Sequence, residues 1–265
     1  MSQTLLRWAG SKKKLIPELS KYFDSNYNKY IEPFVGSAQL FFNIPISSAV
    51  LSDLNIDLIN TYNCVKNYPA EVYSLLSQMP KSKQFYYWLR DDQEAQTDEI
   101  ARAARFLYLN TYCFNGLYRT NLKGKFNVPY SESSGTLISH ENLLNISNKL
   151  KKAYIVQGDF EEIVKTHCLK NDFVYLDPPY AIKNKRIFNQ YNSTTFGLND
   201  LERLRALMDD INSKNAYFVL SYASCDEASF LATNWSVRKV NTVRNISGFA
   251  KHRKIEEEII ISNIY

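Results

Sequence analysis

The sequence predicts an α/β fold, a mostly parallel sheet covered by helices, with a long and mostly helical subdomain inserted into it. Three observations carry that prediction. Short β-rich apolar runs alternate with helical patterns along the 265 residues, the arrangement that builds parallel sheets. Four of the runs meet an acid at or just past their end: Glu32, Asp53, Asp159 and Asp177. The carboxyl ends of parallel strands share one crevice, so a row of acids there is hard to explain as solvation alone. Finally, roughly a hundred residues of different character separate the second run from the third, where a βαβ crossover needs far fewer. Hydrophobic residues make up 45% of the chain, enough for a sizeable core.

The elements follow in order. Tyr30-Ile31 leads into Glu32-Pro33-Phe34-Val35-Gly36-Ser37-Ala38, a strand followed by a turn into a helix. Ala49-Val50-Leu51-Ser52 leads into Asp53, and Tyr154-Ile155-Val156 into Gly158-Asp159-Phe160. Phe173-Val174-Tyr175-Leu176, apolar throughout, reads as a buried parallel strand. Tyr217 to Ser221 is a fifth run, and Ser236–Val240 with Glu258–Ile261 can pair as a hairpin. The core domain is therefore assigned to residues 1–55 and 146–265, and the insertion to 56–145. Within the insertion, Ile100, Ala103, Ala104, Leu107 and Thr111 share one helical face, with Arg102 and Arg105 on another. Phe114 to Tyr130 is aromatic, basic and irregular, a hairpin or loop. Ala181 to Asn199 is polar and aperiodic, and reads as a mobile loop over the strand ends.

The net charge of +5 permits a polyanionic partner without demanding one. Cys64, Cys113, Cys168 and Cys225 lie far apart and form no CxxC pair, and the three histidines are equally scattered. This is neither a disulfide framework nor a zinc site; no metal is expected, and free thiols fit a reducing cytoplasm. No apolar stretch reaches membrane-spanning length, and the N-terminal residues hold no signal-peptide core.

The turn through Glu32, Pro33, Phe34 and Gly36 puts a glycine where the backbone must come close to a ligand. Asp53 closes the next strand, where a carboxylate typically takes ribose hydroxyls; Asp159 and Phe160 stand at the third strand end. Neither GxGxxG nor GxxxxGK(S/T) is present, which disfavours NAD and ATP. A nucleoside without phosphates fits better, and S-adenosylmethionine is the common one. Trp8 can cover a cofactor face, with cation–π attraction to a sulfonium, and Lys12 can pair with a carboxylate. The alternative is Trp8 as a core anchor and Lys12-Lys13-Lys14 as a solvated face.

The step Asp177-Pro178-Pro179-Tyr180 carries the chemistry. An exocyclic amine on a base is a poor nucleophile, because its lone pair is delocalised into the ring. The Asp177 carboxylate and the Pro178 carbonyl can accept its two N–H hydrogens, which favours a pyramidal nitrogen with the lone pair free. Proline lacks an N–H and fixes φ, so Pro178 and Pro179 stiffen the turn and aim its carbonyls. Tyr180 offers a face on which an extruded base can stack. Alone, the step also reads as a strand that simply ends in a turn.

Taken together and in this order, the pieces resemble the DNA adenine methyltransferase (Dam) family, class D12 or alpha-type. The resemblance runs from Arg7-Trp8-Ala9-Gly10-Ser11-Lys12 through Glu32-Pro33-Phe34-Val35-Gly36 and Leu51-Ser52-Asp53-Leu54-Asn55. It continues through Asn115–Asn121 and Phe126-Asn127-Val128-Pro129 to Asp177–Tyr180, then Arg253-Lys254-Ile255 and Glu257–Ile260. It implies a Rossmann-like, S-adenosylmethionine-dependent methyltransferase sheet whose insertion is a target-recognition domain. It also implies methyl transfer to adenine N6 in double-stranded DNA, with the base flipped out of the stack; the protein is expected to act as a monomer. Trp8, Lys12, Asp53 and Asp177 match cofactor-site positions, and Asp177 to Tyr180 match the catalytic loop. Phe114 matches an aromatic that enters the base stack. Asn115, Leu117, Arg119 and Pro129 match base-contacting positions, and Arg7 a basic residue reading the first base pair. Members with this loop commonly recognise GATC. Ala38 stands where many members have Gly, and Arg7 where Lys occurs.

In physical terms, Arg119 can grip guanine O6 and N7 in a fork, and Leu117 or Pro129 can touch a thymine methyl. Lys123 and Lys125 suit phosphates, which position without specifying, and Asn121 lies among them. Lys183, Lys185 and Arg186 also read as DNA-facing. Phe114 and Leu117 could equally be the subdomain's own core. Rival functions are methylation of cytosine N4 or of RNA adenine, and a non-enzymatic nucleic-acid-binding protein on the same scaffold. Cytosine C5 chemistry needs a cysteine nucleophile, usually after a proline, and no cysteine here follows one.

Overall fold

The computed structural model describes residues 5–91, 98–121, 124–133, 135–180, 196–245 and 253–264. Strands β1 (Tyr30–Glu32), β2 (Ala49–Asp53), β3 (Ala153–Gln157), β4 (Phe173–Leu176) and β5 (Tyr217–Ala223) run parallel. The expected hairpin is there and longer than its apolar pattern, with β6 (Ser236–Asn245) antiparallel to β7 (Arg253–Ser262). The sheet order is β3-β2-β1-β4-β5-β7-β6, with β7 antiparallel to β5. The chain leaves β1 toward one edge and β4 toward the other. That reversal is a topological switch point, and a crevice opens there beyond the carboxyl ends of β1 and β4.

Alternation along the strands splits the apolar residues between two cores. Tyr30, Leu51, Ile155, Tyr175, Val219 and Ile260 face one of them. It is filled by α1 (Ile16–Leu19), α2 (Gln39–Asn43), α3 (Ile56–Asn67), α4 (Pro69–Gln78), α5 (Lys83–Asp91), α6 (Glu99–Tyr112) and α7 (His140–Leu150). Ile31, Val50, Val174, Phe218, Leu220 and Ile259 face the other, beneath α8 (Phe160–His167), α9 (Leu198–Ser213) and α10 (Asp226–Ala232). The inserted helices thus share their core with the sheet. Asn55, Asp98 and Asp159 cap α3, α6 and α8 by accepting backbone N–H bonds.

The helix expected around Ile100–Thr111 is α6, and it is buried on more than the expected stripe, Phe106, Tyr108, Leu109 and Tyr112 included. Arg105 is half-buried and donates to the carbonyls of Leu89 and Arg90 at 2.8 Å each, a cation at the C-terminus of α5. The stretch from 181 to 195, with Lys183, Lys185 and Arg186, lies outside the described residues, and Leu198-Asn199 begin α9.

Candidate active site

Side-chain alternation delivers the polar residues of the crevice to one face. Glu32 lies on the face of Tyr30, Asp53 on that of Leu51, Ser221 on that of Val219, and Glu258 on that of Ile260. Because β7 is antiparallel, Glu258 pairs with Ala223 at the carboxyl end of β5. The N-terminal segment brings in Lys12.

Asp177, directly after β4, is the hub. Ser221 Oγ donates to its Oδ1 at 3.0 Å. The Tyr175 hydroxyl lies 2.9 Å from Ser221 Oγ; since Ser221 spends its proton on Asp177, Tyr175 is the donor to Ser221. Lys12 Nζ donates to Glu258 Oε2 at 2.9 Å and to the Tyr180 hydroxyl at 3.0 Å, and lies 3.5 Å from Asp177 Oδ1. Lys12 and Glu258 are buried, at 5% and 4% exposure, while the Asp177 side chain keeps 22%. Burial opposes the charge on Lys12, but Asp177, Tyr180 and Glu258 together hold its pKa above the ordinary lysine value. Burial raises the Asp177 carboxyl, with Lys12 and Ser221 pulling the other way. Pro178 is buried and Pro179 exposed. The Tyr180 ring meets Tyr222 edge-on at 5.3 Å.

The neighbouring strand ends form a second, acidic part of the crevice. Glu32 accepts from the Tyr30 hydroxyl at 3.0 Å. Burial pushes its carboxyl well above the usual range, against that bond, and the nearby Asp177 and Asp53 add to the rise. Asp53 accepts from the Gly36 N–H at 3.2 Å and the Asn55 N–H at 3.0 Å, which offset part of the rise caused by its burial. Pro33 is buried. Gly36 has φ +43°, and a Cβ there would sit 2.9 Å from Trp8 Cδ1. Trp8 is therefore packed against the turn, and its ring stacks on Tyr118 at 5.3 Å. Behind Tyr118 lies a cavity of about 150 Å³ bounded by Asp57, Arg105, Asn110 and Phe126. Phe34 stacks on Phe160 at 5.0 Å. Asp159 caps α8 and pairs with Arg203, which also holds Glu161 and Asp200 and lies over the Phe160 ring.

The loop after α6 is held mainly by its backbone. Bridges join Cys113 to Tyr130 and Thr120 to Phe126, and the Phe114 N–H donates to the Pro129 carbonyl at 2.9 Å. Phe114 is 50% exposed, and Asn115, with φ 55°, is exposed beside it. Leu117 packs against the core. Arg119 Nε donates to Asn127 at 2.8 Å. Asn121 accepts from the Lys125 N–H and shapes the turn, while the Lys125 side chain and Pro129 are exposed. Lys123 lies outside the described residues. Arg7 exchanges backbone bonds with the Asn110 amide at 2.9 and 2.8 Å. A Cβ on Gly116 would fall 2.3 Å from Arg7 Cβ, so the two segments touch.

The model of the D12 class N6 adenine-specific DNA methyltransferases matches residues 8–246. The chain belongs to that family. It is 35% identical over 267 residues to the type II methyltransferase M1.LlaDCHI of Lactococcus lactis subsp. cremoris, covering 97% of this chain and 94% of the relative. It is 34% identical to the type II methyltransferase M.MjaIII of Methanocaldococcus jannaschii, with 94% of each chain covered. To a DNA adenine methylase of Salmonella typhi it is 30% identical, over 98% of this chain and 94% of the relative. The methyltransferase activity on DNA adenine and the Rossmann-like methyltransferase fold expected from the sequence thus stand. Among the described residues of this methyltransferase no group of His, Cys, Asp or Glu is placed to hold a metal ion, and no helix is long and apolar enough to cross a membrane.

Of the residues singled out from sequence, the structure gathers Lys12, Asp177 and Tyr180 into one network, and Trp8, Gly36 and Asp53 into another. Sequence reading missed Ser221, Tyr175, Glu258 and Arg203 as parts of the site. Two signals were available. Ser221 closes the fifth apolar run, and Glu258 is the acid that opens the Ile259-Ile260-Ile261 run. Arg203 sits mid-helix in α9 without any local mark.

Proposed function

We propose that this methyltransferase uses S-adenosylmethionine to methylate adenine N6 in double-stranded DNA at GATC sites, acting as a monomer that extrudes the target base. The observation that carries the reading is the Asp177–Tyr180 turn at the switch-point crevice, with Asp177 and Tyr180 tied to one buried lysine. The crevice suits the donor. Glu32 lies close to Asp53 and Asp177 at the strand ends, so a cationic sulfonium or ammonium brought there would favour the charged forms of these carboxyls. Gly36 keeps the backbone of the turn bare where a side chain would strike Trp8. When bound there, S-adenosylmethionine supplies an activated methyl group on a good leaving group. Asp53 would take the ribose hydroxyls, and Trp8 with the Phe34–Phe160 pair would line the apolar parts.

The remaining work falls to the chain's own groups. Both described contacts of Asp177 fall on Oδ1, which leaves Oδ2 to accept one N–H of the target amine. The Pro178 carbonyl accepts the other, and the Tyr180 ring stacks on the base. In the reading offered here, residues 56–145 are the target-recognition domain. Phe114, exposed on a turn whose backbone is bonded to Pro129, fills the gap in the stack, Arg119 reads guanine, and Lys125 meets phosphate. The test is transfer of labelled methyl from S-adenosylmethionine to duplex oligonucleotides, followed by nucleoside analysis. N6-methyladenine in GATC duplexes is expected. Transfer to a different sequence would overturn the specificity, and label on cytosine N4, or none, the chemistry.

A further inference from the structure

We propose that Glu258 is a positioning residue for methyl transfer: it holds the Lys12 ammonium on Tyr180 and in a loose 3.5 Å ion pair with Asp177 Oδ1 rather than a close hydrogen bond, so that Asp177 stays an acceptor for the target amine. This rests on the reading of Asp177 given above. The geometry carries it. Lys12 Nζ makes close bonds to Glu258 and Tyr180, at 2.9 and 3.0 Å, but stands 3.5 Å from Asp177 Oδ1. An ammonium and a carboxylate without a rival partner close to about 2.7–2.9 Å. Here the rival is Glu258, as deeply buried as the lysine itself. Without it, Lys12 closes fully on Asp177, and a close ammonium bond added to that of Ser221 draws charge from the carboxylate and weakens Oδ2 as the acceptor for the amine. Ser221, fed by Tyr175, occupies Oδ1 from the other side and fixes the carboxylate plane. Tyr180 benefits as well, since Lys12 lies 5.1 Å from its ring centre and anchors its hydroxyl.

The fold explains why this acid comes from the end of the chain. The parallel strands β4 and β5 supply Asp177 and Ser221, and the second carboxylate on Lys12 comes from beyond β5. The antiparallel β7, next in the sheet, delivers Glu258 to the same end and the same face. The register also accounts for an acid set immediately before three isoleucines that are all buried in the sheet.

The test measures single-turnover methylation in four proteins: the parent, Glu258→Gln, Lys12→Met, and the pair Lys12→Met with Glu258→Gln. If Glu258 acts by restraining Lys12, Glu258→Gln slows transfer by at least about tenfold, with DNA affinity unchanged. The same change made in Lys12→Met then has almost no further effect, because nothing remains to restrain. A purely structural carboxylate would instead cost the same factor in both backgrounds, and that additivity would overturn the proposal. Retention of the full rate in Glu258→Gln would overturn it as well. Should Glu258→Gln fail to fold, the comparison of Lys12→Met with the charge-free pair decides alone: equal rates support the proposal and a further tenfold loss, about 1.4 kcal/mol, defeats it. Asp177→Ala is the control for the underlying reading, since activity there removes the basis of both claims.

Discussion

In the crevice beyond the sheet, Lys12, Asp177, Tyr180, Ser221 and Glu258 fix one another side chain to side chain. In the loop from 113 to 130 the backbone makes most of the bonds, and Phe114, Lys125 and Pro129 stand exposed. The difference fits the roles proposed for the two regions. Stabilising charge that develops on a reacting group needs dipoles and charges that are already in place. Reading a duplex needs a frame in register, with side chains left to meet bases and phosphates. Removing a side chain from the crevice should therefore damage the rate, and removing one from the loop should alter the choice of site.

The sharpest break of that comparison is Asp177→Ala. The expected loss is about 10²–10³ in the rate of transfer, the size seen when one positioned polar partner is removed. Binding of duplex DNA by gel shift should change little. A rate within about tenfold of the parent would put the chemistry elsewhere.

Gly116→Ala is the counterpart in the loop. Gly116 has φ +62°, and a Cβ would meet Arg7 Cβ at 2.3 Å. Strain in the left-handed region alone costs about 1–2 kcal/mol, and the contact with Arg7 adds to it. Affinity for every DNA sequence should fall, while calorimetric binding of S-adenosylhomocysteine stays intact. If cofactor binding fell equally, the two regions would be one cooperative unit.

Arg119→Ala should move specificity rather than rate. A forked contact to guanine contributes about 1–3 kcal/mol of discrimination. Competition between GATC duplexes and duplexes altered at one pair should show relaxation at that pair alone. The Arg119 side chain is steadied by Asn127, so Asn127→Ala should give a weaker form of the same phenotype.

A pH series separates the regions in another way. Burial raises the Glu32 carboxyl well above its ordinary value, so the folded state holds that proton where the unfolded state has lost it. Stability then falls as pH climbs from the unfolded value toward the folded one. Glu32→Gln should gain stability at pH 7, about 1.4 kcal/mol for each pH unit between the unfolded value and the lower of pH 7 and the folded value, and nothing near pH 4. The raised Asp177 works in the same direction for activity, placing the acid limb of the rate above about pH 3.9, the usual aspartate value. Denaturant midpoints that respond equally at both pH values would rule out a buried, ionising Glu32.

The smallest expected effect concerns Ala38. It adopts φ 51° at the N-cap of α2, a conformation that suits glycine. Ala38→Gly should raise the melting temperature slightly, corresponding to at most about 1 kcal/mol, with no change in activity.

Sequence legibility tracked locality. Strand runs with an acid at the end were readable because burial and alternation act over a few residues, and β1 to β5 lie where those runs stand. The hairpin was readable only in its apolar parts; its outer residues pair with each other and carry no hydrophobic pattern. The extent of burial of α6 was hidden, because a stripe predicts one covered face and this helix is covered on several. Glu258 and Ser221 were hidden for a different reason. They are 81 and 44 residues from Asp177 in the chain by their numbering, and only the strand order brings them together. Arg203 gathers Asp159, Glu161 and Asp200 from two helices, and no spacing in the sequence marks that.

The most direct measurement expresses the parent chain, Asp177→Ala and Arg119→Ala in a host free of DNA methylation and maps modified bases across the genome. The expected result is N6-methyladenine at GATC for the parent, none for Asp177→Ala, and N6-methyladenine at GATC plus sites altered at one base pair for Arg119→Ala. Adenine methylation that persists in Asp177→Ala, or a parent that marks cytosine N4 instead, would contradict the division between a crevice that does the chemistry and a loop that chooses the site.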